Sequence, residues 1–554
     1  MLIKKLLPVF VFLFMLPMAI MAQVTTSSLS GSVKDDKGNP LSGATVSLVH
    51  GPTGTTYTMS TKSNGYYAFQ NIAPGGPYTL TTSFVGFKTY QDANINLGLG
   101  ENTVSNVILI NNASELAEVV VAGTARAASN AKGGSETNIG RDKMANMPSV
   151  GRNLSDYLRY VPQAKITGDG GVSLAGQNNR YNSFYIDGAV NNDVFGLSAS
   201  GTNGGQANIA PISMDAIDQM QVILSPYDVS LGNFTGGGIN ATTRSGTNEI
   251  KGSLYYLFRN QNLSGKTPGI NLTKDERTKL PDFSNKTYGF RVGGPIIKNK
   301  LFYFLSAEMQ RDEKPQPYST PADYRGSAGI DSIPILAEYV KTKYGYDPGQ
   351  YLTNPELVEA NRVAAKIDWN ASSKQKVTIS YRYNEGFRNN VSRSSNSTIN
   401  FYNNGYKMPD VTHSASLELN SRFNNSLSNK LLLTGTLVKD DRGPIGSPFP
   451  RVTIKDGPAS IVFGTEEFST GNLLDQKNFA LFDVVKMVKN NHTFTLGTDN
   501  EFSNSKNIFI RQNFGSYVFN SLSTFMNGGT ADTYNRTYSL LDPGKSGDES
   551  VNAA

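Results

Sequence analysis

Cysteine is absent from all 554 residues. Its absence excludes disulfide staples, thiol nucleophiles and thiolate metal sites, and with them the lipidated cysteine of a lipoprotein. Histidine is nearly absent too. His50, His413 and His492 lie in separate segments, whereas zinc and catalytic sites need clustered ligands, so each is read as a surface or strand residue. Charge is scarce: 17% of residues are charged and 38% hydrophobic, against roughly 25% and 45–50% in an average soluble domain. The formal net charge of +6 is spread thinly, with no basic block and no helix-turn-helix or zinc-finger spacing, so nucleic acid is not an expected partner. No long apolar run follows the N-terminal one. What is plentiful is Gly (54), Phe (28) and Tyr (27), a composition suited to half-exposed strands and turns. A chain of this length is expected to divide into several units.

The N-terminus places Lys4-Lys5 before an apolar run from Leu6 to Ile20 and Met21-Ala22, the pattern of a secretory signal peptide over 1–22 with cleavage after Ala22. A transmembrane helix needs about 20 apolar residues, more than this run holds. If the mature chain enters a membrane, it must do so as a barrel. Residues 23–112 read as a small β-sandwich. Ser28–Lys34, Ala44–Val49, Tyr57–Lys62, Tyr66–Phe69, Tyr78–Ser83 and Val104–Ile110 are strand-like, with turn clusters at Asp35–Pro40 and Ser63-Asn64-Gly65. In the linker 113–135, the apolar stretch Glu118-Val119-Val120-Val121 admits two readings. It is the last strand of the preceding unit, or a detachable strand that a partner adds to a sheet edge.

Residues 136–248 read as a packed α+β unit. Leu154, Tyr157, Leu158 and Val161 recur at i, i+3, i+4 and i+7, one face of a helix that Pro162 ends. Tyr185-Ile186-Asp187-Gly188 is a short strand entering a turn, and Gly196–Gln206 a Gly/Ser/Thr/Asn loop. Met214–Ile217 reads as a helical turn and Met220–Leu224 as a strand feeding Ser225–Asp228. Gly236-Gly237-Gly238 precedes a further strand, Ile239–Thr243.

From Ile250 the texture becomes strict alternation. Ile250, Gly252, Leu254, Tyr256 and Phe258 share one face; Lys251, Ser253, Tyr255, Leu257 and Arg259 share the other. Strand-like stretches recur near 250–260, 284–294, 300–311, 361–370, 376–386, 412–424, 431–440, 477–487 and 492–503. Short connections alternate with long polar ones at 261–283, 312–360, 387–411 and 441–476, the asymmetry of transmembrane barrels. Leu301, Tyr303, Leu305, Ala307 and Met309 would face lipid, and Ser306, Glu308 and Gln310 a wet lumen. A soluble multi-sheet protein would also show one wet face per strand; the alternating loop lengths decide for a barrel over 249–554. Nine or ten strands compare with about 22 in a plugged transporter barrel, and Gly547–Ala554 is a polar tail, so this chain is expected to hold the N-terminal part of a longer wall.

Three stretches carry a family resemblance. GSVKDDKGNPLSGATVSLV with NGYYAFQNIAPGGPYTLTTSFVGF resembles the carboxypeptidase regulatory-like domain, an immunoglobulin-like fold that is an accessory elsewhere and implies no peptidase activity. VGRNLSDYLRYVPQ, LAGQNNRYNSFYIDGAVNNDVFGL and DAIDQMQVILSPYDVSLGNFTGGGINATTRSGTNEIKGSLYYLFRN resemble the plug domain of TonB-dependent outer-membrane receptors and, more narrowly, the Oar-like branch of the Bacteroidetes type. NSFYIDG departs from the PLYVIDG-like phrase of the glycan-importing relatives.

The resemblance implies a mainly β protein: an immunoglobulin-like sandwich, an α+β plug, then part of an antiparallel transmembrane β-barrel. It would lie in the outer membrane of a Gram-negative bacterium, sandwich and plug on the periplasmic side, importing a large solute (peptide, glycan or metal chelate). Implied partners are TonB with its inner-membrane energising complex, outer-membrane lipid and an extracellular solute, with a surface lipoprotein lid as a further candidate. Glu118, Val119, Val120 and Val121 match the TonB contact by position; Asn178, Asn179, Arg180, Asn191 and Asn192 are the candidates for a solute-facing plug surface. No enzyme, cofactor or metal is expected. No P-loop precedes a helix, and three scattered histidines assemble neither a Ser-His-Asp nor a zinc set. Asp187 and Asp228 read as turn and capping residues, and Asp35-Asp36 lacks EF-hand spacing. The alternative is a surface adhesion or assembly protein without active import.

Overall fold

A computed structural model describes residues 25–112, 128–129, 135–149, 151–168, 170–193, 195–224, 232–266, 273, 275–318, 320–490 and 492–538. The signal peptide over 1–22, the segment Glu118–Val121, Ser225–Asp228 and the tail Gly547–Ala554 lie outside the described residues.

Alternation in the first unit produces two facing sheets. In one, Ser27–Asp35 is flanked by antiparallel Tyr66–Ile72 and by parallel Asn102–Val104 and Val107–Leu109. The other runs Thr55–Ser60, Thr45–His50, Gly75–Ser83, Tyr90–Leu97. Their inner residues, among them Leu29, Val33, Val46, Leu48, Tyr78 and Leu80, close one core. Tyr90–Leu97 was not legible in the sequence: it is an edge strand, mostly exposed, with Asn94 at φ 66°, so little apolar periodicity marks it. Ala128–Ser129 adds antiparallel to Asn102–Val104.

The second unit is a five-stranded mixed sheet, ordered Glu136–Gly140, Ile217–Ile223, Gly238–Thr243, Ser183–Ile186, Ala189–Val190. Asp187 (φ 49°) and Gly188 (φ 77°) form the two-residue turn between the last two strands, the conformation for which Asp-Gly is favoured. The side chain of Asn153 accepts from Asp156 N and caps the helix Leu154–Leu158. Leu154, Tyr157, Leu158 and Val161 are all buried in the plug core, as their spacing predicts.

Among the described residues the third unit is a wall of nine long antiparallel strands, each paired with the next: Lys251–Asn260, Ser284–Ile297, Leu301–Lys314, Glu356–Asn370, Gln375–Asn390, Tyr406–Arg422, Leu427–Asp441, Leu473–Lys489 and His492–Ile508. All nine predicted strands are present. Most run further at the long-loop end than the alternation indicated; the stretch expected at 361–370 begins at Glu356. A membrane crossing takes about 9–11 residues, whereas strands of 14 to 17 residues project past it, where lipid no longer enforces an apolar face.

The long loops differ from expectation. The sequence pattern predicts polar connections; instead 312–360, 387–411 and 441–476 fold together, with residues after Ile508, above the wall. Thr398–Asn400, Ala459–Phe463, Arg451–Asp456, Ser516–Phe519 and Thr533–Asn535 make a second sheet, packed with the helices Ser332–Tyr344 and Leu522–Met526 around Ile333, Leu336, Phe401, Ile461, Phe463 and Phe525. The apolar residues of this cap are divided among several loops, none of which shows a core by itself.

Candidate functional site

The plug lies against the inward face of the wall, and strand alternation selects what it meets. Leu254 (86% exposed) and Ile379 (48%) point outward, whereas Ser306, Glu308, Arg362, Ser380 and Arg382 are each 5% exposed or less on the inner face. At the centre, Glu308 Oε1 accepts from Arg362 Nη1 at 2.8 Å, while its Oε2 accepts from Ser213 Oγ at 2.8 Å and Tyr255 OH at 2.6 Å. Arg362 also donates Nε to the plug carbonyl of Ala210 at 2.8 Å. One wall ion pair thus grips the plug through a hydroxyl and a backbone oxygen.

Similar grips flank it. Plug Asp215 accepts from Arg291 Nε at 2.7 Å and Ser253 Oγ at 2.8 Å. Lys366 Nζ donates to Thr243 O at 3.0 Å and lies 3.6 Å from Asp187; that carboxylate also accepts from Thr243 N and Oγ1 at 2.8 and 2.7 Å. Asp187 is therefore the turn residue its sequence suggests, and an anchor besides. Higher in the lumen, Thr436 donates to Val190 O at 3.1 Å and Arg442 to Gln206 Oε1 at 2.7 Å. Alternation identified Glu308 as inward-facing; nothing in the sequence pairs it with Arg362 or Ser213, because those partners come from distant segments.

The sandwich docks at the short-turn end. Asn370 donates to Thr55 Oγ1 at 2.9 Å, Arg422 to Thr58 O at 3.1 Å and Lys62 to Val488 O, next to three of the short turns. It also touches the plug, with Leu99 N donating to Gln219 Oε1 at 2.9 Å. His50, half-buried at this junction, lies against Tyr78 in a tilted ring contact with centroids 4.7 Å apart. Burial, and then the positive field of Lys376 on the wall, pull its pKa down to about 4.

Of the five candidates for a solute-facing surface, Asn178 and Arg180 are exposed and Asn179 half-buried; Asn191 is 1% exposed. Asn178 caps the 3-10 turn Asn179–Tyr181, Asn179 donates to Ser198 O and Ala199 O at 2.8 Å each, and Arg180 donates to Gly196 O at 2.9 Å. Asn192 accepts from Phe184 N at 2.6 Å. The structure thus brings Asn178, Asn179 and Arg180 together at the base of the Gly196–Gln206 loop, while Asn191 and Asn192 brace strands behind it. Glu118–Val121 lies outside the described residues. Among the described residues no His/Cys/Asp/Glu group has the makings of a metal site, and no helix is long and apolar enough to cross a membrane, which says nothing of a β-barrel.

Comparisons with known proteins follow the same division. Residues 28–110 match the family described as Carboxypeptidase regulatory-like domain, 129–239 the TonB-dependent Receptor Plug Domain, and 242–326 an Outer membrane beta barrel domain. The chain is similar to the TonB-dependent transporter Oar of Myxococcus xanthus, 30% identical over 261 residues, covering 45% of this chain and 23% of that protein. It is also similar to the probable TonB-dependent siderophore receptor PirA of Acinetobacter baumannii, 25% identical over 189 residues, covering 32% and 22% respectively. Among solved structures, the outer membrane transporter YddB from Escherichia coli aligns with TM-score 0.49 and 14% identity over 72% of this chain and 51% of that one. The chain spans about a quarter of the length of the curated relatives it matches.

Proposed function

We propose that this chain is part of a TonB-dependent outer-membrane receptor with an N-terminal carboxypeptidase regulatory-like domain, in which the plug is a removable stopper whose displacement lets a large solute be imported. The observation that carries this reading is the character of the plug–wall boundary. Beside apolar contacts of Ala207 and Ile209 with Val358, Ala360 and Met408, its holds are hydrogen bonds and ion pairs, Glu308–Arg362–Ser213, Asp215–Arg291 and Lys366–Thr243, which water can replace when the plug moves. A boundary sealed by apolar packing alone would expose oily surface on each opening.

In this reading TonB captures Glu118–Val121 in the linker 113–135 by strand addition and pulls, drawing on the inner-membrane proton-motive force. The cap, with Asn178, Asn179 and Arg180 below it, holds a peptide, glycan or metal chelate on the outer side. The test is solute uptake by cells carrying the protein. Import should fall to background without TonB, and when Val119, Val120 and Val121 are replaced by glycine. Import indifferent to both changes would refute the proposal. The cap, which has a core of its own, also suits a second reading, a surface adhesion or assembly protein; cell–cell or matrix binding that persists unchanged without TonB, with no uptake, would favour it.

A further inference from the structure

A cavity of about 810 Å³ lies between the plug and the first four wall strands, within the size range of small-molecule sites. Five arginines and three carboxylates line it, so its walls carry more positive charge than negative. Glu308 is taken by Arg362 at 2.8 Å, and Asp215 by Arg291, which stands outside the lining, at 2.7 Å. Asp312 accepts from Gln310 at 2.6 Å, and Arg141 is held by Asp218 beyond the cavity. Arg259 is exposed, over the Phe283 ring at 5.4 Å.

Two guanidinium groups remain. Arg152 sits over the Tyr255 ring at 5.1 Å and makes no ion pair among the described residues. Arg244 comes no nearer to a carboxylate than 4.0 Å, at Asp215. In both, Nε is buried and has no acceptor among the described residues. A buried guanidinium N–H without an acceptor is uncommon, and the planar fork of arginine matches the two oxygens of a carboxylate or phosphate. Met144, Leu154 and Met214 on the same walls supply apolar surface beside it.

We propose that this cavity is an oxyanion site, in which Arg152 and Arg244 receive the carboxylate or phosphate group of a partly apolar solute. Anion binding stands on the cavity alone; that an imported solute pauses there rests on the importer reading. The test measures thermal unfolding of the full chain in detergent with citrate, inorganic phosphate, or sodium chloride at matched ionic strength. Citrate or phosphate should raise the unfolding temperature of the unaltered protein saturably, and whichever acts at lower concentration identifies the source chemistry. In the double variant Arg152→Gln, Arg244→Gln the apparent affinity should drop about tenfold or more, the scale of one lost charge-assisted hydrogen bond. Equal shifts in both proteins would be a general salt effect and overturn the proposal.

A second measurement needs no variant. Crystals of the unaltered protein soaked in selenate should show an anomalous peak within hydrogen-bonding reach of both guanidinium groups, and its absence there overturns the site. Anion binding without uptake defeats only the importer reading; uptake without anion binding defeats only this site.

Discussion

Glu308 joins three segments through its two oxygens, and Arg362 extends the join to the backbone of Ala210. Removing one partner of a buried pair leaves the other charge uncompensated, at a cost of about 3–5 kcal/mol. Glu308→Ala should therefore lower the unfolding temperature and expose the plug to protease sooner, with Glu308→Gln milder; an unchanged digestion pattern would count against the grip. His50 makes a prediction in pH. Its pKa, ordinarily 6.5, is held at about 4, so the docked state favours the neutral ring. Stability from this group is full above about pH 6.5 and is lost as pH falls through about 4. Asp218 and Asp368 partly offset Lys376 around it. Unfolding temperature measured from pH 7 to 4 should fall further for the unaltered protein than for His50→Gln. The sequence left His50 as a surface or strand residue just past Ala44–Val49, and it ends the strand Thr45–His50. Its wall neighbour Lys376, more than three hundred residues away, could not be read from it.

At the scale of elements, period-two alternation was the most informative signal. It assigned Leu301, Leu305 and Met309 outward and Ser306 and Glu308 inward, as observed. The first wall strand offers the sharpest contrast. Leu254 is 86% exposed on the outer face, while its neighbour Ser253 donates to Asp215 of the plug. Arginine on a lipid face costs up to about 2–4 kcal/mol near the midplane, so Leu254→Arg should reduce folding into vesicles where Leu254→Phe should not. Equal folding yields for the two variants would show that this face does not meet lipid. Strand ends were less legible, because past the bilayer the same strands have a wet outer face and the alternation fades. Tyr90–Leu97 escaped for the same reason on a smaller scale.

At the scale of the whole molecule, the plug lies against the inner face of the wall, with the sandwich at the short-turn end and the cap at the long-loop end. The cap has its own core, with Phe463 fully buried against Phe401 and Phe525. Truncating a buried phenylalanine costs about 3–5 kcal/mol. Phe463→Ala should loosen the cap, read as faster hydrogen exchange in Ser332–Tyr344 and Arg451–Asp456, while the wall strands keep their protection. Loss of protection throughout would mean that cap and wall fold as one unit. By itself the sequence determined that the chain is mainly β, that its wall alternates outward-facing and inward-facing residues, and that a helix with Leu154, Tyr157 and Leu158 on one face packs into the plug. Those are local periodicities, written by residues a few positions apart. Only the tertiary structure decided that Glu308 meets Arg362 and Ser213, that three long loops and residues after Ile508 share one core, and that Arg152 and Arg244 border one cavity with no carboxylate among the described residues within hydrogen-bonding distance of either. Each of these joins segments separated by tens to hundreds of residues, and no spacing along the chain encodes which inward-facing side chain the plug will meet.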